Sequence, residues 1–570
     1  MEFNLADLFE CVADHVPERE ALASGTRRLT YRDLEAGANR VAHGLQQRGV
    51  SPGDHVGLYL YNCVEFLEAM LACYKLRAVP VNVNYRYVED ELAQLFADAD
   101  LRGLIYHQEF APRVSGLAGR WPRQLNLMVE VAGPDEAAPA ASGPTVERCQ
   151  WARYDEVLDS GSAGRDFPAR SGDDHYLLYT GGTTGLPKGV VWRQEDIFFV
   201  ALGAGNPGGP PIRHPDDIGA AVVAGRGQRV RPFLPPGDPG PEKFAALSLG
   251  PLMHASGQWL GLGTLLGGGT VVLYPHRQMD MVRVLELVER ERVTMLSLVG
   301  DASAVPLIEA LEAASAPGGV RHDTSSLMLL GSGGSILTAD AKARLFELLP
   351  ALLAITEAIG SSEAPVQGLS VATRAGRLMP SLQFQAKDVT AVFDDDLRPV
   401  APGSGVVGRL ATRGYVPLGY YNDPQKSART FVEVDGVRWS LPGDMATVDA
   451  DGTIRLLGRG AMCINTGGEK VYPEEVEAVL KAHPKVTDAV VVGITDAKWG
   501  EQVAAVIEPD GAPPSLSELQ DHCRASLAGY KVPRTLRLVD RVTRSPAGKA
   551  DYRWARQVAS APETRTRRRT

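Results

Sequence analysis

Several things are scarce in this chain, and each scarcity excludes something. None of the six cysteines (Cys11, Cys63, Cys73, Cys149, Cys463, Cys523) stands in CxxC spacing with another. Neither a disulfide framework nor a zinc site is therefore suggested, and a reducing cytoplasm is the simplest compartment. No run of about 18 apolar residues occurs, so no integral membrane helix is expected. The opening MEFNLADLFECVADHVPERE carries acids and no long apolar stretch, unlike a signal peptide. Positive charge is in deficit, with 59 Lys and Arg against 69 Asp and Glu and a formal net charge of −10. That balance argues against a nucleic-acid binder. An anionic substrate would have to meet locally placed cations, because the global field repels it. The basic tail RTRRRT reads as a frayed, solvated end. No internal repeat is visible.

What is present is a long globular chain of 570 residues, 44% hydrophobic and 22% charged. This exceeds one ordinary core and predicts two or more domains. The first part alternates helix-like and strand-like stretches. Tyr31 to Val50 has helical spacing and ends at Gly49, Asp54 to Tyr61 reads as a buried strand, VEFLEAMLACYKLRA as a helix and VPVNVN as the next strand. Such alternation predicts an α/β fold with crossover helices. Ala132 to Thr145 reads as a surface loop. The Gly/Pro-rich region from Gly203 to Glu242 is long for a structureless loop, which leaves a functional flap or a mobile segment. After DGTIRLLGRG the order becomes helix, strand, strand, helix, strand, a small α+β unit. We place the domains at 1–458 and 459–570, with a hinge near 459–463.

The stretch YTGGTTGLPKGV, Tyr179 to Val190, lies between two apolar, β-prone runs, YLLYT and GVVW. It connects strand to strand. A Walker cradle needs its glycine loop to open a helix and its lysine to precede Ser or Thr; here Lys188 follows proline and precedes glycine. The loop reads instead as a mobile hairpin. Gly181, Gly182 and Gly185 let backbone N–H groups approach an anion, Thr180, Thr183 and Thr184 offer hydroxyls, and Lys188 supplies a point charge.

This loop resembles the phosphate-loop signature of the acyl-adenylate-forming enzymes, which include acyl-CoA synthetases, peptide-synthetase adenylation domains and luciferases. Other stretches match in the family's order. LLGSGGSIL, with Gly333, Gly334 and Ser335, resembles the segment lining adenine. IGSSE, Ile359 to Glu363, resembles [YF]-G-x-[ST]-E and includes Gly360, Ser361 and Ser362. Trp439 to Arg459 resembles the ribose-binding segment, Asn465 to Glu477 the loop opening the C-terminal domain, and RSPAGKADYR the terminal loop with its lysine.

The resemblance implies a large N-terminal domain and a small mobile α+β domain. It implies ATP, Mg²⁺ and coenzyme A as cofactors. Glu363 would bind the metal, Ser362 would touch the α-phosphate, Asp444 would accept from the ribose hydroxyls with Arg459 assisting, and Lys549 would reach the carboxylate and α-phosphate. Gly467 and Gly468 would face the thiol tunnel in a second pose of the small domain. Two departures stand out. Ile359 replaces the aromatic that stacks on adenine, and Ala461 and Met462 replace the charged hinge pair. His254 and Trp259 in PLMHASGQW each carry two readings, an acyl-pocket position or plain core.

Within the family, stretches such as VNVNYRYVEDEL, VGDASAVPLIEAL and PLGYYNDPQKSARTF resemble bacterial CoA ligases acting on sterol side-chain carboxylates. The expected substrate is a bulky hydrophobic carboxylic acid, a steroid side-chain acid or a medium- or long-chain fatty acid. The expected pocket wall is Met253 to Gly263 with Val299 to Val305. The expected partners are that small acid and CoA, with no nucleic acid and with a homodimer allowed. A stand-alone adenylating enzyme that loads a carrier protein remains the alternative, and a catalytically dead nucleotide sensor is disfavoured by Lys549, Glu363 and Asp444.

Overall fold

The computed structural model describes all residues except 88, 134–148, 183–184, 206–211, 226–228, 375, 377–381, 467–468, 497–499, 528, 546–547 and 562–570. Local signals set the first elements. Thr30 and Asp33 form a reciprocal capping box that starts the helix Tyr31–Gln47, and Gly49, at φ 88°, follows its end, where a left-handed backbone suits glycine. The helix Val64–Lys75 is buried at every position except Glu65, as its apolar run requires. The strands His55–Tyr59 and Val79–Asn82 beside it are buried at every position, the pattern of a parallel sheet covered on both faces.

Three sheets result. In an eight-stranded sheet, Val79–Asn82, His55–Tyr59, Leu101–His107, Leu127–Val131 and Gln150–Arg153 run parallel. His175–Gly182 joins them in parallel and turns back as Gly185–Arg193. The two-residue strand Gly419–Tyr420 caps that edge. A fifteen-stranded sheet contains a parallel run through Thr270–Leu273, Ala245–Ser248, Met295–Leu298, Leu329–Gly333 and Ala354–Ser361. Its direction then reverses at Ala364–Thr373 and stays antiparallel. Open sheets of this kind take ligands at the carboxyl ends of their strands, where topology changes.

The third sheet has five strands, Ile464–Thr466, Glu469–Val471, Val486–Asp496, Gly500–Pro509 and Thr535–Leu538. The helices Pro473–Lys481, Leu516–Arg524 and Tyr552–Ser560 accompany it. Thr453–Arg459 still belongs to the large sheet; a single turn, Gly460–Met462, separates it from the first strand of the small one.

Three details differ from the sequence reading. The Gly/Pro-rich region is not structureless, because DIGAAVVA inside it forms the helix Asp217–Ala224, with Ile218 and Val222 buried. The stretch after the hinge holds a strand pair, Ile464–Thr466 with Glu469–Val471, where a loop was expected. A final helix, Tyr552–Ser560, follows Lys549; Asp551 caps it by accepting from Trp554 N. The expected loop Ala132 to Thr145 lies mostly outside the described residues.

Candidate active site at the meeting of two sheets

The hairpin His175–Gly182 and Gly185–Arg193 is as the flanking apolar runs predict. Its ladder reaches Thr180 opposite Lys188 and Gly182 opposite Gly185. Thr183 and Thr184 at its tip lie outside the described residues. The ladder places Lys188 on the approach to the fifteen-stranded sheet, where Glu363 occupies the turn at which the sheet changes direction. Lys188 Nζ stands 2.5 Å from Glu363 Oε1 and donates to Tyr420 Oη at 2.9 Å. Tyr420 Oη donates in turn to Glu363 Oε1 at 2.6 Å, and the ammonium lies 4.4 Å from the centroid of that ring. Two sheets therefore meet through a lysine–tyrosine–glutamate triangle. Glu363 is only 3% exposed. Burial without a cation would be costly, and the triangle supplies one.

The turn bearing Glu363 is rigidly held. Trp192 Nε1 donates to Ser362 O at 3.0 Å, and Ser440 Oγ donates to Glu363 O at 2.9 Å. Gly360 is required here, because a Cβ would fall 2.0 Å from Pro365 O. The buried hydroxyl of Ser361 has no partner among the described residues, which suits a hydroxyl kept for a polar ligand. Ile359 is 6% exposed and packs with Phe384, Val392, Leu410, Ala446 and Ile454, so little of it remains for an adenine ring. Gly333 ends the neighbouring parallel strand, and Gly334 follows at φ 78°, with Ser335 next in the same turn. Asp444 is 8% exposed at the start of Asp444–Val448, in register with Arg459. The Arg459 side chain and residues Gly467 and Gly468 lie outside the described residues.

The second cluster centres on His254, the residue preceding the helix Ala255–Leu266. Asn82 ties it to the hairpin: its amide donates to Tyr179 O and Met253 O, each at 2.7 Å, and accepts from Tyr179 N at 2.8 Å. His254 Nε2 is buried and has no hydrogen-bond partner among the described residues, so a satisfied core histidine does not describe it. Burial pushes its pKa down to about 4, and the charges of Lys549 and Arg86 push the same way. The ring is neutral at physiological pH and close enough to Lys549 to sense its charge. The Lys549 loop is seated on the large domain, since a Cβ on Gly548 would fall 2.4 Å from Val299 Cγ1. Trp259 is half-buried against the main apolar cluster, beside Tyr176, which fits its core reading. A narrow, mostly apolar cleft lined by Asn62, Leu252, Leu260 and Leu273 borders the same helix.

The structure thus brings Lys188 to Glu363 and rests the Gly548 end of the Lys549 loop on Val299. Two participants were missed. Tyr420 sits in PLGYYND, where nothing separates it from Tyr421 until strand pairing does. Asn82 could have been found, as a polar residue inside the otherwise apolar strand VPVN. Among the described residues no cluster of three or more His, Cys, Asp or Glu could hold a metal, and no helix is long and apolar enough to cross a membrane.

Comparison with known proteins agrees with this geometry. Residues 9–421 match the AMP-binding enzyme family, and residues 475–549 match the AMP-binding enzyme C-terminal domain. The 3-oxocholest-4-en-26-oate–CoA ligase of Rhodococcus rhodochrous is 41% identical, over 98% of this chain and 96% of its own. A medium/long-chain-fatty-acid–CoA/3-oxocholest-4-en-26-oate–CoA ligase of Mycolicibacterium smegmatis is 44% identical, over 98% and 97%. The solved structure of an anthranilate CoA ligase in complex with anthranoyl-AMP superposes with a TM-score of 0.78 at 24% identity, covering 98% of each chain, which speaks for the fold. A family match spanning most of the large domain, a second match in the small one and full-length relatives above 40% identity lead to one conclusion: the chain belongs to the AMP-binding enzyme family.

Proposed function

We propose that this protein is an ATP-dependent, AMP-forming acyl-CoA ligase whose acid is bulky and hydrophobic, a steroid side-chain acid or a medium- to long-chain fatty acid. The single observation that carries the chemistry is the Lys188–Tyr420–Glu363 triangle, with the Lys549 loop resting on Val299. The acid class is supported by the full-length relatives named for such acids.

In the first half-reaction a carboxylate oxygen attacks the α-phosphorus of ATP and pyrophosphate departs. In the second, the CoA thiol attacks the acyl carbon and AMP departs. The residues supply position and charge, which is most of what phosphoryl-type transfers need. Lys188 and the hairpin N–H groups hold the phosphates, with Thr180 beside them. The Ser361 and Ser362 turn meets the α-phosphate, Asp444 with Arg459 the ribose, and the Gly333 to Ser335 turn borders the adenine. Lys549 neutralises charge as the carboxylate and α-phosphate approach. Neutral His254 borders the acyl group. Gly467 and Gly468 line the thiol approach after the small domain rotates about 459–463, so that residues 1–458 and 459–570 act as two bodies.

Glu363 fits Mg²⁺ as a lone buried carboxylate, since this ion commonly takes one or two carboxylates and completes its shell with substrate phosphates. When bound, it neutralises charge on the leaving pyrophosphate.

The test is pyrophosphate release with ATP and Mg²⁺, with and without CoA, over C2 to C18 fatty acids, aryl acids and sterol side-chain acids. CoA-dependent turnover highest on sterol or long-chain acids is expected. A maximum on short or aryl acids would overturn the substrate class, and adenylation without transfer to CoA would make a carrier protein the acceptor.

A further inference from the structure

The turn that carries Lys549 is tightly bonded, and the bonds converge on Gly548. The Ser545 N–H donates to Lys549 O at 2.8 Å, the Gly548 N–H donates to Ser545 O at 2.8 Å, and Ser545 Oγ accepts from Lys549 N at 3.1 Å. Arg544 Nη1 donates to Gly548 O at 2.9 Å, while Nε and Nη2 of the same guanidinium hold Asp488 at 2.5 and 2.7 Å. The N–H and C=O of Gly548 are thus both bonded within the small domain, at a backbone φ of 66°. Ser545 and Lys549 are exposed, yet Gly548 is buried.

The face of Gly548 that lacks a side chain meets the large domain. A Cβ there would find its three nearest atoms all on Val299, with Cγ1 at 2.4 Å, Cβ at 3.2 Å and O at 3.3 Å. Val299 is 8% exposed and is itself fixed. Its N–H donates to Ser303 Oγ at 2.6 Å, and the N–H of Gly300 donates to Ser332 Oγ at 3.1 Å. Gly300 is packed so closely that its own Cβ would fall 2.3 Å from Ile336 O. A bonded turn therefore closes on a bonded seat, and neither can yield to an added carbon without moving as a body.

We propose that Gly548 sets how deeply Lys549 enters the active site: its missing side chain lets the turn close on Val299, and Val299 is the stop against which it closes. The inference rests on the reading of Lys549 as the adenylation lysine and on rotation of the small domain between half-reactions. Carbon atoms pack at about 3.5–4.0 Å, so a methyl group on Gly548 would hold the turn back by roughly 1 Å and the adjoining Lys549 with it. A misplacement of about 1 Å at a reacting centre can cost about 10²-fold in rate. Gly548, Val299 and Arg544 are positioning residues, since they act through Lys549.

The test separates the half-reactions in full-length Gly548→Ala, Val299→Ala, the double variant and Lys549→Ala, with thermal melting to report folding. Adenylation is read as ATP–pyrophosphate exchange with dodecanoate or 3-oxocholest-4-en-26-oate, whichever supports turnover. Transfer is read as CoA thioester formation from the supplied acyl adenylate. Gly548→Ala is expected to lower exchange by about 10²-fold and to leave transfer within about two-fold of wild type. Alanine is also disfavoured by the left-handed backbone, but that cost lies inside the turn and is common to both poses. Val299→Ala removes Cγ1, the atom in collision, so in that background the Gly548→Ala penalty on exchange should shrink to about ten-fold or less. Exchange near wild type in Gly548→Ala, equal loss in both half-reactions, or an undiminished penalty in the Val299→Ala background would each overturn the stop. If Lys549→Ala retains exchange, the role of Lys549 itself fails and the stop with it; if Lys549→Ala loses exchange and Gly548→Ala does not, only the stop fails.

Discussion

Tyr420→Phe is the sharpest probe of the junction between the sheets. The phenol hydroxyl is the third corner of the triangle. It accepts from Lys188 at 2.9 Å and donates to Glu363 at 2.6 Å, and its ring lies 4.4 Å from the ammonium. Phenylalanine keeps the ring and its contact with Phe431 and removes only the hydroxyl. Hydrogen bonds to charged groups contribute about 1.5–3 kcal/mol. If the triangle presents Lys188 and Glu363 to ATP and its metal ion, the loss should appear as a roughly 10–150-fold fall in kcat/KM for ATP, at about 1.4 kcal/mol per decade. The assay is pyrophosphate release under varied ATP with saturating acid, and the KM for the acid should stay near its wild-type value. A variant within about two-fold of wild type for ATP would refute the reasoning, because the hydroxyl would then be decoration on a lysine–glutamate pair that orients itself.

Lys549→Ala should cut adenylation by about 10² or more while sparing CoA transfer from supplied acyl adenylate, as single-turnover measurement of each half-reaction would report; equal loss in both would contradict its assignment. Asn82→Ala strips partners from Tyr179 N, Tyr179 O and Met253 O at once; at about 1–3 kcal/mol per unsatisfied buried group, denaturant unfolding should register a loss of about 3 kcal/mol or more. Glu68 is buried beside Gly37, donated to by Tyr154 at 2.7 Å, and burial pushes its carboxyl up to about 7. Its folded pKa exceeds the ordinary 4.5, so its unfavourable contribution is absent below about pH 4.5 and grows until about pH 7, to about 3 kcal/mol at 1.36 kcal/mol per pKa unit. Glu68→Gln should therefore raise the melting temperature at pH 8 relative to pH 5 more than wild type does; parallel profiles would contradict this.

The sequence was most legible where one element carries its own reason. The hairpin around Lys188 was readable because apolar runs flank it on both sides, and ladder pairing continues to Gly182 and Gly185. The small domain's order of helix and strands was readable from alternation alone, and Val486–Asp496 and Gly500–Pro509 are where it places them. Legibility failed where the reason lies in another part of the chain. Tyr420 and Tyr421 are adjacent and chemically identical. Pairing of Gly419–Tyr420 with Val190 and Val191 turns the first toward Glu363 and the second toward Asp100. Likewise DIGAAVVA sits amid glycines and prolines; its helix exists because the neighbouring helix Leu5–His15 packs against it, with Ile218 and Val222 in the shared core.

The net charge of −10 explains why positive groups at the site are positioned so deliberately. An acidic protein gains no long-range attraction for ATP, so recognition falls to short-range cations whose charge must be held without being neutralised permanently. Lys188 meets that need by resting on Glu363, a carboxylate that a metal ion can take over when phosphate takes the lysine. In the proposed reading Lys549 would meet it differently, its charge arriving with the small domain; His254 stays neutral because burial, helped by that charge, keeps the proton off. Under the proposed function the first cation would be stored in the large domain and the second delivered to it, so that phosphate grip and carboxylate activation would be switched on separately.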